Sequence, residues 1–266
     1  MRLLALTLTW LCVIAAPALS ADALTDARRF YNQGQYDAAE RAALEAAKVP
    51  TTADPARVVL GRVQLERYRK SSTPTDLDDA IASLRSVDAR RLDPRDKAEL
   101  AIGMGEALYL DEHYGAAAAL FESVLDVSSM AQQPGYEKVL DWWATAIDRQ
   151  AQARPPLERA DLYTRVTARM KTELARAPGS AAAGYWLAAA ARAVGDPDGA
   201  MNEALASWVR ASLGADRGIT LRADLDRLVT EGILPDRAAR LPARERSQGL
   251  AAMTADWEAF KARWTR

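Results

Sequence analysis

The sequence predicts an all-α protein: an α-solenoid of about five helix pairs closed by a C-terminal helical cap. Three observations carry that expectation. Glycine and proline punctuate apolar stretches of helical spacing, and no run alternates β-branched or aromatic residues as a half-buried strand would. One short phrase also returns along the chain, as Gly34-Gln35-Tyr36-Asp37-Ala38-Ala39, His113-Tyr114-Gly115-Ala116-Ala117 and Gly195-Asp196-Pro197-Asp198-Gly199-Ala200. Each copy follows one amphipathic helix and opens another. A helix–turn–helix unit returning after roughly 34 residues is the pattern of stacked pairs.

The chain opens with the features of an export signal over residues 1–20. Arg2 gives a positive start, Leu3 to Ala16 an apolar run, and Ala18-Leu19-Ser20 a small-x-small ending that places cleavage near Ser20/Ala21. The apolar run is too short to cross a bilayer, which takes about 20 helical residues, and the mature chain is expected to have no transmembrane segment. Cys12, the only cysteine, lies inside this run, and Trp10 and Leu11 before it are the wrong residues for lipid attachment. The expected location is periplasmic or secreted.

Residues 21–213 read as the repeat domain. Its first pair runs from about Ala23 to Asn32 and from Asp37 to Ala47. The second starts near Pro55, breaks at Ser71-Ser72-Thr73-Pro74 and resumes to Val87. The third opens after Asp93-Pro94, turns at Glu112-His113 and ends near Leu125. The fourth covers Tyr136 to about Ala151 and, past Pro155-Pro156, Leu157 to Ala175. The fifth begins after Ser180, whose hydroxyl suits an N-cap, turns at Gly195 to Pro197 and runs on to Leu213.

Residues 214–266 read as the cap. A short helix around Leu221 to Val229 precedes Gly232-Ile233-Leu234-Pro235. A final helix after Pro242 then carries Leu250, Met253, Trp257, Phe260 and Trp264 on one stripe. Trp208, Trp257 and Trp264 are expected to fill this end of the core. Of the adjacent Trp142 and Trp143, only one can face the same core. Trp143 fits the buried position, and Trp142 is expected against Pro155-Pro156 or a partner.

The formal net charge is −1 at pH 7 with the signs interspersed, so there is no basic stripe for nucleic acid. His113 is the only histidine, which excludes multi-histidine metal centres. No phosphate loop or Gly-x-Ser-x-Gly elbow is present, and Asp224 and Asp226 are two apart on a helix and face different ways. No catalytic residue, metal or cofactor is expected.

The three recurring phrases resemble the tetratricopeptide repeat (TPR), in which small residues let paired helices approach while bulky neighbours fill the adjacent holes. On that template the small mid-helix positions are Ala27, Gly61, Gly105, Ala144 and Ala188, and those of the second helices are Ala39, Ala80, Ala117 and Ala200. Pro50, Pro94 and Pro178 stand near the closing position. The resemblance implies a concave groove lined by first helices, with Arg28, Tyr31, Arg62, Glu106, Tyr109, Asp148, Tyr185 and Arg192 facing it; Thr145 takes a similar place. The Lys, Asn and Arg pattern with which some members hold a terminal carboxylate is not reproduced. The function implied by the resemblance is that of a non-enzymatic adaptor of the cell envelope, binding a protein or peptide of unknown identity. The alternative is an envelope glycan binder using exposed aromatic rings.

Overall fold

A computed structural model describes residues 15–127, 135–214 and 216–265, and they are helical without a strand among them. Residues 1–14, with most of the expected leader and Cys12, lie outside the described residues. The chain divides into two compact units, residues 1–120 and 121–266.

In the first unit α1 (Ala15–Asn32) folds back on α2 (Tyr36–Ala46), and α3 (Ala53–Ser71) on α4 (Pro74–Arg85). Next comes α5 (Pro94–Leu110), which packs on both α3 and α4; α3 also touches α1, so the first helices of successive pairs meet. The local chemistry sets the starts. Asp93 caps α5 by accepting from the Asp96 amide at 2.8 Å, with Pro94 in the first helical turn.

At the crossings the small residues are enclosed: Ala27, Ala39, Ala80 and Ala117 have no exposed surface, and Gly61 and Gly105 are buried. Gly61 shows why. A Cβ there would stand 2.7 Å from Leu84 Cγ, so the side chain of α4 occupies the space that a larger residue in α3 would need.

In the second unit α7 (Tyr136–Gln152) packs on α8 (Pro156–Arg176), α8 on α9 (Ala181–Ala193), and α9 on α10 (Pro197–Arg210). The contact of α7 with α9 repeats the first-helix pattern. Between the units in sequence lies α6 (Tyr114–Leu125). Ala144, Ala188 and Ala200 have no exposed surface. Ser180 caps α9 as expected, its hydroxyl accepting from the Ala183 amide at 3.2 Å.

The recurring phrase has one physical meaning. After α1, the Gly34 amide donates to the Tyr31 carbonyl and the Gln35 amide to Phe30. After α5, Glu112 donates to Tyr109 and His113 to Leu108; after α9, Gly195 donates to Arg192 and Asp196 to Ala191. All three are Schellman closures, in which a left-handed residue lets two backbone amides return to the helix end. Gly34 and Gly195 supply that conformation with φ +71° and +80°, whereas Glu112 adopts φ +61°.

Three details near the C-terminus and in α7 refine the sequence reading. First, Gly232 to Pro235 is not a break. One π turn (Val229–Ile233) joins α11 (Ile219–Leu228) to α12 (Leu234–Ala239), and Pro235 falls in the first turn of α12, directly after it. Second, the stripe on α13 (Arg246–Trp264) is only partly used. Trp257 is fully enclosed against Trp208, its ring 5.1 Å away, but Trp264 is 46% exposed. Third, Trp142 lies 5.9 Å from the Phe121 ring with the Lys138 ammonium 4.6 Å over it, while Trp143 is buried as expected.

Candidate functional site

The eight groove candidates fall in two places of different character. In the first unit, α1 presents Arg28 and Tyr31 one turn apart, α3 presents Arg62, and α5 presents Glu106 and Tyr109. Tyr31, Arg62 and Glu106 meet one another. Arg28 donates to Asp96 at 2.5 Å. Arg62 pairs with Glu99, stands 3.7 Å from Glu106, and stacks its guanidinium 4.8 Å from the Tyr31 ring. Arg69 approaches Glu106 from another side at 3.3 Å.

Glu106 is 1% exposed, so its charge is balanced inside the unit by two guanidinium groups. Burial pushes the Tyr31 phenol far above its ordinary value, with Glu106 and Glu66 adding to the rise against Arg62 and Arg69. The ring therefore stays neutral at any physiological pH. The cavity that Arg28, Tyr31 and Arg62 line holds about 40 Å³. That is room for ordered water, not for a peptide side chain. Tyr109 stacks edge-on against Tyr114 at 5.3 Å, as Tyr31 meets Tyr36 at 5.8 Å across the equivalent turn.

In the second unit, Asp148 of α7 and Tyr185 and Arg192 of α9 line an open cleft of about 480 Å³. That volume is within the range of small-ligand and peptide-anchor sites. Asp148 is held at both oxygens, by the Tyr163 hydroxyl at 2.6 Å and the Gln152 amide nitrogen at 2.8 Å. Burial first, and then this bond to Asp148, push the Tyr163 phenol far up, so it remains the donor. Trp186 forms part of the wall and donates its indole N–H to Asp141 at 2.8 Å. Burial raises the Asp141 carboxyl above the usual carboxylate range; Asp224 adds to the rise and the indole bond opposes it.

Arg192 donates through Nε to Asp236 of α12 at 2.7 Å. Gly232 makes that placement possible. A Cβ on it would stand 2.7 Å from the Arg192 Cζ, so the guanidinium lies directly against backbone. The glycine that reads as a turn signal in the sequence is instead a platform for a cleft residue.

Sequence reasoning missed Arg159, Tyr163, Trp186 and Asp236, because it confined the groove to first helices and treated the C-terminal segment as separate. One signal was present. Arg159 and Tyr163 stand four apart on α8 and so share a face. His113, in its turn, is exposed, with Nδ1 2.6 Å from the Asp111 carbonyl. Among the described residues no group of histidine, cysteine or carboxylate side chains could hold a metal ion, and no helix is long and apolar enough to cross a membrane. Compared with known proteins, the chain matches no family model and no curated sequence.

Proposed function

We propose that this chain is an exported, TPR-like adaptor without catalytic activity, which binds a protein or peptide partner in the cell envelope. The observation that carries this reading is the convergence of Asp148, Tyr185 and Arg192 on one open cleft of about 480 Å³. Such a cleft, held by packed helices, needs little ordering when a ligand arrives, and so wastes little affinity. The contacts α1 to α3, α3 to α5 and α7 to α9 support a solenoid of successive pairs within each unit. Buried alanines and glycines at the crossings support the TPR-like kinship.

The glycan alternative draws less support. Trp143, Trp186, Trp208 and Trp257 are buried and Trp142 is half-buried, and Trp264 is the exposed indole among the described residues. Crosslinking of the full chain in its native envelope tests the adaptor reading. Wild type is expected to capture a defined partner that the paired substitution Tyr185→Ala and Arg192→Ala loses without unfolding. Identical capture by both forms, or turnover of a substrate by the purified protein, would overturn it.

A further inference from the structure

The cleft of the second unit contains an imbalance that suggests what enters it. Four charged side chains line it: Asp148, Asp236, Arg192 and Arg159. Three have partners. Asp148 accepts from Tyr163 and Gln152, and Arg192 and Asp236 hold each other. Arg159 differs. Its Nη2 donates to the Arg154 carbonyl at 3.2 Å, its Nε is buried without an acceptor, and no carboxylate among the described residues pairs with it. A guanidinium offers five donors in a planar fork that matches a carboxylate. Beside it on the same wall of α8 stands the buried Tyr163 ring, and Tyr185 and Trp186 supply further aromatic surface.

We infer that the cleft takes an acidic side chain, Asp or Glu, flanked by an aromatic or large aliphatic residue of a partner peptide, with Arg159 as the group that holds the carboxylate. This rests on the peptide-binding reading above and narrows it. A lysine or arginine in the same place would be repelled by Arg159. Of the lining carboxylates, Asp236 is engaged by Arg192, and Asp148 keeps its charge while directing its oxygens to the neutral Tyr163 and Gln152.

The test uses the purified full chain and three capped hexapeptides that differ only in the residue next to a central Phe: Glu, Gln or Lys. Binding is followed by tryptophan fluorescence and by calorimetry. The Glu peptide is expected to bind about tenfold or more tightly than the Gln peptide, as a charge-assisted pair requires. Added salt should weaken the Glu peptide more than the Gln peptide. Arg159→Gln should erase the preference for the Glu peptide, and Arg159→Lys should restore it in part. Helicity by circular dichroism confirms that each variant is folded.

Equal binding of the Glu and Gln peptides, or preference for Lys, would overturn the acidic inference and leave the adaptor reading standing. Phenylacetate binding as tightly as the Glu peptide would move the carboxylate to a small free acid and overturn the peptide source. Failure of every peptide at millimolar concentration, together with unchanged capture in the envelope by the Tyr185 and Arg192 variant, would overturn both.

Discussion

The two units place similar side chains at comparable positions and use them differently. In the first, arginines and carboxylates of α1, α3 and α5 neutralise one another, and about 40 Å³ is left between them. In the second, α7 and α9 carry a comparable mix, yet a cleft of about 480 Å³ stays open. The difference lies in where the partners come from. Asp96, Glu99 and Glu106 all project from α5 toward Arg28 and Arg62, so that face closes on itself. In the second unit Asp148 is held by Tyr163 and Gln152, and Arg192 by Asp236, which leaves Arg159 without a carboxylate among the described residues. Charged first-helix residues therefore either close into a polar core, as around Arg62, or line an open cleft, as Asp148 and Arg192 do.

The sharpest way to break this comparison is to remove one member from each side. Glu106→Ala leaves Arg62 and Arg69 facing each other around a buried vacancy. Arg62 keeps Glu99 and Arg69 keeps Glu66, so neither charge is left bare, and urea unfolding should show a loss of about 1–3 kcal/mol. Arg159→Ala removes a charge with no ion pair to lose and should cost less than about 0.5 kcal/mol. Similar losses in the two variants would mean that the pairing does not separate framework from site.

Gly232→Ala probes the second unit alone. The new methyl group meets the end of a flexible side chain, so Arg192 shifts while the backbone stays. A stability change below about 1 kcal/mol is expected. The bond from Arg192 to Asp236 should nevertheless be displaced, and ligand affinity at the cleft should fall more than stability does.

A smaller effect is expected from acid at α13. Burial works to raise the Asp226 carboxyl, but hydrogen bonds from Lys261 and Trp257 outweigh it and hold the carboxyl below its ordinary value. A depressed folded value stabilises above the unfolded carboxylate value, about 3.9, and that stability is lost as pH falls through the folded one. Hydrogen exchange in α13 should therefore rise below about pH 4. In Asp226→Asn the acid-dependent step should vanish. A step that persists unchanged would assign it to other carboxylates.

Much of the framework was legible because helix signals are local. Asp93-Pro94, Ser180 and Asp196-Pro197 open helices where their side chains accept backbone amides. The alanine positions were legible because a crossing tolerates little else. The cleft was harder, since it is built from residues distant in sequence: Asp148, Tyr185 and Asp236 come from three separate helices. Gly232 and Pro235 misled for a different reason. Both are turn residues by propensity, but a π turn and a proline in a first helical turn let the helix continue. Glu106 looked like a groove residue because nothing in its own helix shows that Arg62 and Arg69 of α3 will enclose it.

The smallest expected effect compares the three closures directly. Gly34 and Gly195 would have nothing within 4 Å of an added Cβ, so glycine is required there only by positive φ. Glu112 holds the same conformation with a side chain, at φ +61°. A non-glycine residue in that region bears a backbone penalty that glycine does not. Glu112→Gly should thus stabilise the first unit by roughly 1 kcal/mol, while Gly34→Ala and Gly195→Ala should each cost about as much. In melting experiments each change amounts to about 2–4 °C for a chain of this size. If Glu112→Gly lowered stability, the glutamate would have to make a contact worth more than the strain it bears, and the turn after α5 would cease to be equivalent to the other two.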